Sequence, residues 1–279
     1  MFNTPIRLAT LLELATFLVL LALILDYFRI LRRPWRPALI TALVLILWGG
    51  YLTLNAVMPT SSFYGPVFYQ GSQSDKEVAL TFDDGPNPPY TYQLLDILAK
   101  YNVKATFFLI GQNAEKFPET AKTIVLKGHQ IGSHTYTHSD LLKLDETQIT
   151  AEMVKSIDTI QESAGARPRI LRPPHGFRDP LVLQVAKEQK LDIVQWSVMA
   201  EDWKKPGIDV IAERVIRNVR NGSIVLLHDG DGVSVGGDRS QTVAATEIII
   251  QRLQQKGYRF VTVEEILSRQ HFPAAQGLN

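Results

Sequence analysis

Two stretches near the N-terminus are almost wholly apolar: Leu8 to Phe28 (LATLLELATFLVLLALILDYF) and Ala38 to Val57 (ALITALVLILWGGYLTLNAV). Each has about the 20 residues that a helix needs to cross the hydrocarbon core of a bilayer. Beyond them the pattern changes. Short apolar runs (EVALTF, ATFFLIG, HQIGSH, RILRP, DIVQWSV, SIVLLHD and YRFVTV) alternate with longer stretches whose apolar residues recur at three and four positions, such as ITAEMVKSIDTIQESAG and VAATEIIIQRLQQKG. Runs of the first kind read as buried strands and of the second as amphipathic helices. Several of the helical stretches stop at Gly, most clearly at Lys127-Gly128, Asn221-Gly222 and Lys256-Gly257.

Strands alternating with helices imply a parallel sheet. About seven repeats in roughly 195 residues fit a distorted or incomplete (β/α) barrel, with a doubly wound open sheet as the alternative. The predicted organisation is α/β, with an N-terminal helical hairpin over residues 1–58, a linker over 59–75, the βα unit over 76–270 and a tail over 271–279.

Between the two apolar stretches lies RILRRPWRP, with Arg29, Arg32, Arg33 and Arg36. A short loop this rich in arginine stays on the cytoplasmic side. The lipid bilayer is therefore an expected partner through two N-terminal helices, and everything after Pro59 is expected outside the cytoplasm. Trp35, Trp48 and Tyr51 are expected near the membrane interfaces. A cleaved signal peptide fits less well, since no small-residue cleavage site follows the first run.

The rest of the composition mostly excludes. The formal net charge of +1 gives no electrostatic case for nucleic acid. The absence of cysteine removes disulfides, thiolate metal sites and a cysteine nucleophile. The Gly-rich stretch 230–242 lacks the Lys-Ser/Thr of a phosphate-binding loop and is placed beside the substrate cleft.

In an α/β barrel the chemistry sits at the C-terminal ends of the strands, and unusual polar residues stand there repeatedly. Asp83 and Asp84 follow VALTF, His134 and His138 follow HQIGS, and Arg172 and His175 follow RIL. Asp202 and Trp203 lie past IVQWSV, and His228 and Asp229 follow SIVLL. HTYTH puts two imidazoles at i and i+4, which share a face if the segment forms a helical turn. Asp83 or Asp84 would complete a His/His/Asp set for one ion, leaving a position open. Adjacent residues of a strand point to opposite faces, so Gly85 and Pro86 are expected to bend the chain and bring both acids into one cleft.

These motifs together resemble the polysaccharide deacetylase family, the chitin and peptidoglycan deacetylases with the NodB-type catalytic domain, from Lys76 to about Leu267. The resemblance implies hydrolysis of N-acetyl groups on an N-acetylhexosamine polymer with one divalent ion, Zn2+ first, Co2+ or another ion as alternatives. TFDDGP implies Asp83 as base and Asp84 as metal ligand, and HTYTH makes His134 and His138 ligands. RPPHG implies that Arg172 orients the base and that the His175 N–H helps bind an oxyanion. EDW and LLH imply that Asp202 holds the general acid His228, with Trp203 and Leu226 lining the acetyl pocket. Two positions depart from the family pattern: Met199 stands where the fourth motif begins with Asp, and His175 where the third commonly has Tyr. Two other readings compete, a membrane-tethered glycan-binding protein without turnover and a metal amidohydrolase for a small non-sugar amide.

Overall fold

A computed structural model describes residues 7–27 and 36–271. Two helices come first, α1 (Leu8–Tyr27) and α2 (Arg36–Val57). The βα unit follows as β1 (Glu77–Gly85), α3 (Tyr90–Lys100), β2 (Thr106–Leu109), α4 (Gly111–Lys116), α5 (Pro118–Leu126) and β3 (Gln130–Ser133). It continues with α6 (Glu146–Ala164), β4 (Ile170–Leu171), α7 (Pro180–Glu188), β5 (Asp192–Ile193) and β6 (Val198–Met199). The last elements are α8 (Ile208–Asn218), β7 (Ser223–His228), α9 (Ser240–Gln255), β8 (Arg259–Phe260) and α10 (Val263–His271).

The strands form one parallel sheet in the order β5-β4-β3-β2-β1-β7-β6, with β8 beside the start of β1. This is a curled, incomplete barrel. DIVQWSV, expected as one strand, is two: β5 and β6 lie at opposite edges of the sheet, and the chain crosses the open seam through Val194 to Ser197. The connector helps to fill that seam. The Phe68 N–H donates to the Ile193 carbonyl (2.8 Å), Gln195 N–H to the Phe68 carbonyl (2.7 Å), and Gly71 N–H to the Gly222 carbonyl (2.7 Å).

Strand alternation sorts β1 onto two faces. Val78, Leu80 and Phe82 pack with Leu94, Leu95 and Leu98 of α3 and Ile249, Ile250 and Leu253 of α9. Ala79 packs on the other face with Phe108, Ile170 and Ile224. Thr81 and Asp83 share the parity of Ala79, so the first acid points into the barrel. The helices carry local stop and start signals. In α6, Asp145 and Gln148 exchange side-chain bonds with each other's backbone N–H groups, and Gly165 ends the helix at φ 76°.

The N-terminal helices pack antiparallel: Leu8 clusters with Leu52 and Ala56, and a Cβ on Gly49 would lie 3.1 Å from Leu12. Among the described residues one helix is long and apolar enough to cross a membrane, Ile40–Val57, with mean hydropathy 1.8; Leu8–Ile24 is a shorter apolar helix. The expectation of two full spans is thus met by one helix on length and composition. Arg29, Arg32, Arg33, Trp35 and the tail beyond His271 lie outside the described residues, as does the side chain of Arg36.

Candidate active site

The two acids of TFDDGP reach one cleft by a different device from the expected turn. Both lie within β1, the register shifts between Asp83 and Gly85, and Asp84 adopts φ 72°. The bulge and the left-handed residue turn the second carboxylate back to the side of the first. Asp83 also stands opposite His228 in the β1–β7 register, so these two side chains start from the same level of adjacent strands.

HTYTH is not a helical turn. It is a loop after β3, with Thr135 at φ 65° and His138 at φ 60°. The imidazoles still converge, because the loop folds back on itself. Glu152 of α6 holds it by accepting from the N–H groups of Tyr136 (3.0 Å) and Thr137 (2.9 Å). His134 Nε2 lies 3.4 Å and His138 Nε2 3.3 Å from Asp84 Oδ1.

These three residues offer ligand atoms within 4.8 Å of one another. Asp84 Oδ1 is buried without a hydrogen-bond partner, whereas Oδ2 accepts from the Gly232 N–H at 2.9 Å. One oxygen is thus fixed and the other left facing two ring nitrogens. Burial drives the pKa of both His134 and His138 down to about 4, so both are neutral at pH 7. Burial opposes the charge on Asp84, but His228, His134 and His138 outweigh it and hold this carboxyl below its ordinary value. Neutral imidazoles and an ionised carboxylate are the protonation states a divalent cation needs. The His134 Nδ1 lies 2.6 Å from the Arg172 carbonyl, which fixes the ring as outer partners of metal-binding histidines do.

Asp83 has a separate partner. Its Oδ1 accepts from Arg172 at 2.7 Å. The guanidinium is fully buried, and it also donates to Thr81 Oγ1 and to the carbonyls of Val194 and Gln195 from the seam crossing. It stacks 4.1 Å above the Phe108 ring. Burial raises the Asp83 pKa, and Arg172 limits the rise. A carboxylate raised in this way is a better proton acceptor near neutral pH.

Across the cleft, His228 Nδ1 meets Asp202 Oδ1 at 2.9 Å, and Asp202 Oδ2 accepts from the His228 N–H (2.8 Å) and Thr242 Oγ1 (2.9 Å). Burial disfavours the imidazolium, yet Asp202, with Asp84 and Asp83, raises its pKa to about 9. Trp203 sits edge-on to this ring at 5.2 Å between centroids. Asp83, Asp84, His134, His138, Trp203 and His228 line one cleft of about 770 Å³, together with His175, Leu226, Met199 and Phe177. His175 is at φ 59°, its ring edge-on to His138 at 5.2 Å.

The Gly-rich stretch borders the cleft through Asp231, Gly232 and Arg239. Its supporting contacts were not visible in the sequence: Asn113 bonds both the Asp84 and Gly232 carbonyls, and a Cβ on Gly230 would stand 2.1 Å from the Asp84 carbonyl oxygen. Gly230→Ala is therefore expected to cost about 1–3 kcal/mol of stability, seen as a lower urea midpoint at unchanged slope.

The polysaccharide deacetylase family model matches residues 70–194. A peptidoglycan-N-acetylglucosamine deacetylase of Bacillus cereus is 44% identical over 195 residues, covering 70% of each chain. The chain belongs to the polysaccharide deacetylase family. Among solved structures, a peptidoglycan N-acetylglucosamine deacetylase in complex with 4-naphthalen-1-yl-N-oxidanyl-benzamide superposes with a TM-score of 0.68 at 42% identity. That match covers 72% of this chain and 92% of the other. A CE4 family pseudoenzyme from Bacillus anthracis superposes at 0.66 with 32% identity, over 72% of this chain and 69% of the other.

A pseudoenzyme among the relatives puts weight on the two departures from the family pattern. Met199 lies at the end of β6 opposite Leu226, 41% exposed on the cleft wall. Asp202 has its hydrogen bonds from His228 and Thr242, and Arg172 has its own partners, so neither contact depends on position 199. The exposed His175 side chain leaves its own backbone N–H in place, as any residue but proline would.

Proposed function

We propose that this deacetylase-family chain is a metal-dependent N-deacetylase that releases acetate from N-acetylhexosamine residues of a cell-wall or extracellular polysaccharide. The observation that carries the reading is the Asp84/His134/His138 cluster, with Asp83 held by Arg172 on one side and His228 held by Asp202 across the cleft. Asp84, His134 and His138 would hold a divalent ion, Zn2+ first and Co2+ or another as alternatives, which supplies Lewis-acid polarisation of an amide carbonyl.

The other roles belong to the chain. Asp83 takes a proton as water attacks the acetyl carbonyl carbon. The His175 N–H donates to the oxygen on which charge develops. His228 gives a proton to the sugar nitrogen as the C–N bond breaks, so that acetate and a free amine result. Arg172 keeps Asp83 aimed, and Asp202 keeps His228 charged. Leu226 and Trp203 form the wall against which the acetyl methyl packs. Trp203 and Met199, exposed at 37% and 41%, offer apolar surface to the flat faces of sugar rings.

The relatives named for peptidoglycan support a wall glycan as substrate, and the apolar α1 and α2 support anchorage by a two-helix hairpin with the catalytic unit outside the cytoplasm. The competing reading, glycan binding without turnover, draws on Met199 and on the pseudoenzyme relative.

Acetate release from N-acetylglucosamine oligomers decides between them. A chelator is expected to abolish release, and Zn2+ to restore it. His134→Ala and His138→Ala are each expected to lower metal occupancy. Glycan binding with bound metal and no acetate would establish the binding protein instead.

A further inference from the structure

The N-terminal helices are fastened to the βα unit at two loops, and both are loops of the cleft. After His138, the chain makes a short turn at Leu141–Lys143 that Asp140 caps. Arg7, just before α1, donates to the carbonyls of Leu141, Leu142 and Leu144. Its Nε also lies 2.7 Å from Asp179, a carboxylate with no solvent exposure that caps α7. After His175, Arg178 is buried to 1% exposure and donates to the Gly176 carbonyl on one side. On the other it donates to the carbonyls of Met58 and Ser61, just past α2, and its own N–H reaches the Ala56 carbonyl at 3.1 Å. Asp140, Lys143, His175, Gly176 and Phe177 line the cleft within a few residues of these contacts.

A long flexible stalk needs no such buried charges. Here Asp179 finds its counter-ion on α1's approach, outside its own unit, and a buried carboxylate stripped of its partner is strongly disfavoured. The same end of the helical pair carries an aromatic chain. In the last two turns of α2 and just past it, Tyr51 meets Phe63 (5.4 Å) and Phe63 meets Tyr64 (5.0 Å), with Tyr51 and Phe63 about half exposed. An exposed Tyr toward the end of an apolar helix marks the level of lipid headgroups. The aromatic level, the docked loops and the cleft rim thus lie together at the extracytoplasmic end of α1 and α2.

We propose that the helical pair holds the rim of the cleft against the outer surface of the bilayer, so that the protein deacetylates N-acetylated glycan still anchored to that bilayer by a lipid. This rests on the deacetylase and two-helix readings above. Glycan free in solution is a poorer substrate because nothing delivers it to a cleft that opens beside the headgroups, whereas an anchored chain shares the enzyme's surface and gains effective concentration.

The test uses the full chain in phosphatidylcholine vesicles with two probes, a soluble N-acetylglucosamine tetramer and the same tetramer on a dialkylglycerol. The chain has no cysteine, so Lys143→Cys, at a side chain 80% exposed on the rim, carries a single fluorophore. Lipids with a nitroxide on the headgroup are expected to quench it strongly, and the anchored tetramer is expected to be cleaved about ten-fold or more faster at equal bulk concentration. Adding Arg7→Ala is expected to relieve the quenching. In unlabelled protein it is expected to erase most of the anchored preference while leaving the soluble rate unchanged. Weak quenching in the parent protein, or quenching and preference that survive Arg7→Ala, would overturn the docking. Strong quenching relieved by Arg7→Ala, with acetate released from neither probe, would instead sink the deacetylase reading and leave the docked orientation standing.

Discussion

Asp83→Asn is expected to lower acetate release by about 100- to 10,000-fold while leaving metal occupancy unchanged. The two halves of that expectation come from different atoms. Asp83 Oδ2 is 3.8 Å from His134 Nε2, whereas the Asp84 oxygen sits 3.4 and 3.3 Å from His134 and His138. Asparagine keeps an acceptor for Arg172 but cannot take the proton of an attacking water. It also removes the one carboxylate paired with Arg172 among the described residues, and a buried guanidinium without its counter-ion costs about 3–5 kcal/mol. The Thr81, Val194 and Gln195 oxygens and the Phe108 ring still receive that guanidinium, which softens the loss. Turnover is therefore to be measured below a lowered melting temperature, with metal content and circular dichroism on the same sample. A folded, metal-loaded Asp83→Asn protein with parental turnover would remove Asp83 from the role of base.

Much of this arrangement was legible in the sequence because a parallel sheet turns order along the chain into position in space. Asp83, Arg172 and His228 each end or directly follow an apolar run, and parallel strands deliver all such ends to one rim. The way the ends bend was not legible. The left-handed backbone at Asp84, Thr135 and His138 is rare for residues with a Cβ, and no local pattern announces it. The i, i+4 spacing of the histidines suggested a helix, and the loop reached the same convergence by other angles. The Val194–Ser197 crossing was hidden inside one apolar run, since apolar residues suit a strand and a buried crossover equally well. Backbone donors and carbonyls around the site, from Gly232, Val194 and Gln195, carry no side-chain signature. Thr242 does carry one, but its bond to Asp202 spans 40 positions along the chain.

The acid side of the cleft predicts a pH profile. His228 must be protonated to serve the leaving amine, and its pKa stands at about 9, so kcat/KM is expected to hold through neutral pH and fall as pH rises through about 9. The stability effect has the same sign. A histidine whose folded pKa exceeds its unfolded value of 6.5 contributes stability fully present below that value and lost as pH rises through the folded one. Asp202→Asn removes the nearest negative charge, leaving burial to act against the imidazolium. The alkaline fall is then expected to move about 1–3 units toward acid, while turnover well below the new pKa recovers toward the parental rate. His228→Ala has no such recovery: its loss of about 100- to 10,000-fold persists at every pH. The contrast separates an acid tuned by its neighbour from a merely structural Asp–His pair, because a structural pair would lower the rate without shifting the limb. An unmoved alkaline limb in Asp202→Asn, with the fold intact, would assign the leaving-group proton to another residue.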